Sequence, residues 1–99
     1  SVVGKGTPTM VLVRDQHTVQ SIQLLDLMDE VRDAYSGRVG FLVVDWNTPK
    51  GIQFMEDHQA QRASIVMLAG DGRLAGKMFM PQTADSMDQL IKTTFGVTP

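Results

Sequence analysis

The chain has 99 residues, room for one domain, since two halves of that length would each lack a workable core. Its residues are 42% hydrophobic and 20% charged, which excludes a disordered or fibrous chain. Nine basic residues against eleven acidic ones leave a net charge of −2, which argues against binding to nucleic acid or a membrane surface. There is no cysteine. Disulfides, thiolate metal sites, thiol redox chemistry and cysteine nucleophiles are thereby removed together.

Residues 1–8 contain Gly4, Gly6 and Pro8 and read as a linker. A single domain is expected over 9–95, with 96–99 as a tail. Thr9 to Arg14 is a continuous apolar run after Pro8, the pattern of a buried strand. From Thr18 to Tyr35 the period becomes helical. Ile22, Leu25, Met28, Val31 and Tyr35, joined by Leu24 and Leu27, form the apolar side, and Asp26, Asp29, Glu30 and Asp33 the solvated one. Gly37 is the expected left-handed stop.

Val39 to Asp45 predicts a second buried strand, closed by the Asn47-Thr48-Pro49 turn. Lys50 to Arg62 predicts a helix with Ile52, Phe54, Met55 and Gln59 inward. Ser64 to Ala69 is a third strand. Asp71-Gly72 predicts a hairpin into a returning strand over Arg73 to Met80, which Pro81 ends. Thr83 is a good N-cap for a last helix in which Met87, Leu90, Ile91 and Phe95 share a face. The fold class is therefore α/β, in the order βαβαββα. A four-stranded mixed sheet follows, with a parallel first pair, an antiparallel hairpin and helices on both faces.

That order resembles the thioredoxin-like fold. The run Met28-Asp29-Glu30-Val31-Arg32-Asp33-Ala34-Tyr35-Ser36-Gly37 fits the end of the family's long helix without a gap, and Val44-Asp45 with Asn47 and Pro49 fits the following strand end and turn. The hairpin about Asp71-Gly72 fits the family's last two strands. The resemblance spans about Thr9 to Phe95. Its departures concern chemistry. Thr18-Val19-Gln20-Ser21 stands in place of the Cys-x-x-Cys, with His17 where the family has Trp. Hydroxyls cannot form the low-pKa anion that thiol exchange needs. Ser64 stands in place of the family's cis-proline, and a non-proline cis bond costs ~2.5–4 kcal/mol, so a trans bond and a reshaped loop are expected. Leu12 replaces a buried acid of the first strand. The resemblance thus implies a redox-inactive member, not a thiol–disulfide oxidoreductase.

The resemblance also places a binding groove. It would be lined by His17, Thr18, Val19 and Ser21, by Ala63 and Ser64, and by Met80 and Pro81. Its expected occupant is a protein or peptide, held by backbone pairing and apolar contact. The alternative is a glutathione or other thiol ligand, or a transferase site, using the hydroxyl of Ser21 or Thr18 at the helix start. Each residue also has a structural role open to it. Thr18 can cap the helix by accepting from the amide near Ser21, His17 can be an exposed loop residue, and Trp46 a half-buried packing residue. Asp15, two residues from His17, could raise its pKa, but no nucleophile completes a triad.

No cofactor is expected, and no metal: His17 and His58 lie in different elements without a carboxylate cluster. No run is apolar enough for a spanning helix and no signal peptide is seen, so a soluble chain of cytoplasm or periplasm is expected. The short lead into the first strand leaves an unpaired sheet edge, a contact for a homodimer.

Overall fold

The computed structural model describes residues 6–79 and 83–99. Strand β1 (Thr9–Arg14) leads into helix α1 (Val19–Arg32), which tightens into a 3-10 turn over Asp33–Tyr35. Strand β2 (Gly40–Asp45), helix α2 (Pro49–His58), the hairpin of β3 (Ser64–Leu68) and β4 (Leu74–Met78), and helix α3 (Ala84–Phe95) follow. The order is βαβαββα, as the sequence predicts.

The sheet runs β2-β1-β3-β4. β1 pairs parallel with β2, from Thr9 opposite Gly40 to Arg14 opposite Asp45, and antiparallel with β3, from Thr9 opposite Leu68 to Val13 opposite Ser64. Because side chains alternate across a strand, this double pairing sorts β1 onto two cores. Met10 and Leu12 join Ile65, Met67 and Met78 under α1 and α3, which contribute Leu24, Met28, Val31, Met87 and Ile91. Val11 joins Val66 and Leu68 on the opposite face, where Phe54 of α2 packs. Helices therefore cover both faces.

All three α-helices start on a threonine. The hydroxyls of Thr18, Thr48 and Thr83 accept from the backbone N–H of Ser21, Gly51 and Ser86. Each satisfies an orphan donor for about 1 kcal/mol. The first and third were anticipated.

Four expectations need correction. Ile22 and Ile52 are about half exposed, not inward. The buried stripe of α1 is Ser21, Leu24, Met28 and Val31, with the Ser21 hydroxyl held by Asp15 N–H, which leaves Ile22 outside the stripe. The second strand is not buried: β2 is the sheet's edge, its residues are mostly half-buried, and Val43 is 43% exposed. Finally, α2 starts on Pro49 and stops at His58. Gln59 takes a left-handed conformation and is exposed, and Ala60 N–H turns back to the Met55 carbonyl. The returning strand is also shorter than expected, and residues 80 and 81 lie outside those described.

Gly51 marks a close approach. A Cβ there would lie 1.8 Å from the backbone carbonyl oxygen of Asp45, which already accepts from the N–H (3.2 Å) and hydroxyl (2.8 Å) of Thr48. Gly51→Ala is expected to lower stability by about 1–3 kcal/mol, since rigid backbone has to move. Urea denaturation measures it.

Tyr35, the only tyrosine, is fully buried and its hydroxyl donates to the carboxylate of Asp88, which also pairs with Lys92 at 3.0 Å. Burial, with the Asp88 hydrogen bond and charge adding, pushes the phenol up to about 12. The Tyr35 hydrogen bond, then Lys92, hold the Asp88 carboxyl below its usual range. An unfolded phenol ionises at about 10, so stability is expected to fall as pH rises from about 10 toward 12. It is also expected to fall below pH ~3.9, where an unfolded aspartate binds its proton before folded Asp88 does. Tyr35→Phe removes the alkaline loss and weakens the acid one. Phenolate absorbance against pH and denaturation against pH check both.

Candidate functional site

The candidate groove lies where β1 ends and α1 begins. Two backbone turns shape the join. Thr18 N–H and its hydroxyl both donate to the Asp15 carbonyl, at 3.0 and 3.1 Å, while the same hydroxyl accepts from Ser21 N–H at 3.3 Å. Ser21 is fully buried and its Oγ accepts from Asp15 N–H at 2.9 Å. Both hydroxyls of the expected site therefore hold the start of α1 in place.

Asp15 is the charged residue that burial singles out, at 4% exposure. One carboxylate oxygen accepts from the backbone N–H of His17 at 3.1 Å and the other lies 3.7 Å from Arg62 Nε. It thus contacts the amide of His17, and the structure shows no bond between its carboxylate and the imidazole. The Arg62 guanidinium sits 4.6 Å over the ring of half-buried Trp46. Arg14 pairs with Asp45 at 2.7 Å across β1 and β2. A buried carboxylate needs partners, and the His17 amide and the Arg62 cation supply them, the Trp46 ring lying under that cation.

The loop before β3 carries the trans bond expected at Ser64. No described peptide bond is cis, and Ala63 is left-handed at φ 59°, a conformation that a residue with a Cβ seldom takes. Ala63 N–H donates to the Val13 carbonyl at 2.8 Å. Its carbonyl accepts from Gln20 Nε2 at 2.7 Å, and the same nitrogen lies 3.0 Å from the Phe79 carbonyl. Gln20 thereby ties α1 to the loop before β3 and to the chain just past β4. Ser64 is buried and donates to the Gln61 carbonyl at 2.6 Å.

The structure brings His17, Thr18, Val19, Ser21, Ala63 and Ser64 to this end of the sheet; Met80 and Pro81 lie outside the described residues. Thr18, Ser21, Ala63 and Ser64 are engaged by their neighbours, while His17 is exposed and Val19 is 69% exposed. Ile22, one turn along α1, and Phe79 are exposed too. Sequence reasoning missed Gln20, and missed Arg62 as the partner of both Asp15 and Trp46. Gln20 lies inside the segment that replaces the Cys-x-x-Cys, but its partners are 43 and 59 residues away.

No family model and no curated protein matches the sequence. Solved structures do match by fold. A reduced thioredoxin 2 from Pseudomonas aeruginosa PAO1 superposes with a TM-score of 0.73 at 23% identity, over 92% of this chain and 82% of that one. A DsbH oxidoreductase gives 0.73 at 12% identity, over 93% and 74%. A malarial protein gives 0.68 at 15%, over 89% and 97%. The fold is thioredoxin-like. Since the chain has no cysteine, it holds no thiol with which to perform disulfide exchange. No described helix is long and apolar enough to cross a membrane.

Ala63→Gly is expected to be nearly neutral, the relief of the left-handed Cβ offsetting the lost methyl and the freer unfolded chain. Ala63→Val forces a β-branched residue into the same conformation and should cost about 1–3 kcal/mol. Denaturation of the two variants side by side measures the difference.

Proposed function

We propose that this domain is a protein-interaction module that performs no thiol chemistry and engages an extended peptide or a partner's surface at the end of the sheet. The observation that carries this reading is the exposure of three large apolar residues at this end of the sheet. Val19 and Ile22 share a face of α1, and Phe79 lies beside the carbonyl that Gln20 contacts, exposed by 69%, 51% and 44% respectively. Large apolar side chains exposed together support an interaction site more than scattered ones do.

The N–H of Ala63 is bonded to Val13 and its carbonyl to Gln20, so apolar contact leads and backbone pairing at Ala63 requires Gln20 to move. Affinity then rests on apolar contact with Val19, Ile22 and Phe79. His17 supplies a polar group at the rim.

Val19→Asp tests the reading. An exposed substitution changes stability by only about ±0.5 kcal/mol, so the melting temperature should move by no more than a few degrees. Proteins captured from lysate of the source organism by the parent chain should be lost with the variant. An identical set captured by both would refute the site.

A further inference from the structure

The two edges of the sheet are built differently. On β4 a register shift leaves Ala75 unpaired between Leu74 and Gly76, and Lys77 projects to the Gln59 carbonyl at 2.5 Å. A bulge and a lysine are devices that stop an edge from pairing further. β2 has neither. It runs Gly-Phe-Leu-Val-Val-Asp in unbroken register with β1, and its one charge, Asp45, is neutralised by Arg14.

Hydrogen bonding decides which groups of β2 are open. Gly40 N–H donates to Pro8 and Trp46 N–H to Arg14, so the even-numbered residues face β1. In a parallel pair the alternate residues then point their N–H and C=O outward. These are Val39, Phe41, Val43 and Asp45. Val39 N–H is bonded to the Tyr35 carbonyl, and the Asp45 carbonyl is taken by Thr48. Among the described residues, Phe41 and Val43 have no partner for either group, Asp45 none for its N–H and Val39 none for its C=O.

We propose that the β2 edge is the interface of a two-fold homodimer, in which β2 pairs antiparallel with β2 of a second copy about an axis at Leu42. This register uses each open group and asks for none already engaged. Phe41 and Val43 of the second copy exchange both bonds, and Asp45 N–H meets the Val39 carbonyl, each bond occurring twice by symmetry. The side chains agree with it. Exposed Val43 meets Phe41 of the second copy, an aromatic–β-branched pair, on the face that carries α1 and α3. On the other face Leu42 meets its own copy and Val44 meets Gly40. Within the paired strands no like charges face each other: Asp45, already paired with Arg14, falls opposite Val39. Moving the axis to Val43 would place Phe41 N–H against the engaged Asp45 carbonyl.

The absence of cysteine makes the test direct. Sedimentation equilibrium of the parent should give twice the chain mass at high concentration, falling toward the monomer on dilution. Val43→Lys should be monomeric throughout. Under oxidising conditions Leu42→Cys should link into covalent dimers, because directly opposite residues of a non-hydrogen-bonded pair have Cα atoms about 4.5 Å apart. Val43→Cys should not, since its copy lies diagonally, roughly 7–8 Å away. Linkage through Val43→Cys but not Leu42→Cys would overturn the register, and a dimer that survives Val43→Lys would overturn the interface. A parent that is monomeric at every concentration would overturn the dimer. Slow exchange of the Phe41 and Val43 amides in such a monomer would mean that another part of the chain covers the edge.

Discussion

Everything in this domain hangs on the two-sided pairing of β1. Its residues from Thr9 to Val13 are buried to within 1% of completely, and the strand is hydrogen-bonded to β2 on one side and β3 on the other. A central strand has no solvent face, so its alternation assigns side chains to two cores. Met10 and Leu12 define where α1 and α3 rest, and Val11 defines where α2 rests. Each such side chain contributes about 1.5–3 kcal/mol on burial. The same strand fixes the site. Its last residues deliver the carbonyl of Val13 to Ala63 and that of Arg14 to Trp46, and Asp15 follows directly.

From that anchor the site is assembled by polar groups that hold one another. Asp15, Thr18 and Ser21 close the turn into α1, and Gln20 spans to Ala63 and Phe79. In a thiol-exchanging protein with this fold the corresponding helix start has to leave a reactive group accessible. Here the hydroxyls of Thr18 and Ser21 are engaged by the backbone, and Val19, Ile22 and His17 are exposed. The result is a surface that presents apolar groups and an imidazole, and no thiol.

Much of the fold was legible in the sequence because its signals are local. The runs Thr9 to Arg14 and Ser64 to Leu68, the Asp71-Gly72 turn and the Thr18 and Thr83 caps each depend on residues within a few positions. Misplacements came where a neighbour distant in sequence decides. Ile22 and Ile52 have the right period for burial, yet the described residues leave both about half exposed. β2 reads as buried by composition, but its place in the sheet makes it an edge. In the site, the caps were legible and the bridge was not. No spacing rule connects Gln20 with Ala63 and Phe79, and a left-handed alanine has no sequence signature comparable to that of Gly72.

The three threonine caps carry a further consequence. Aspartate at a helix start adds a charge that titrates in acid and is screened by salt, so helices capped that way loosen with pH and ionic strength. A hydroxyl does neither. The beginnings of α1, α2 and α3 are held by bonds whose strength is the same in dilute buffer and in brine, at pH 4 as at pH 9 (a span of about five pH units in which threonine has no ionisation). Because Thr18 caps the end of α1 that carries Val19 and Ile22, that cap is unchanged when the surrounding electrolyte changes.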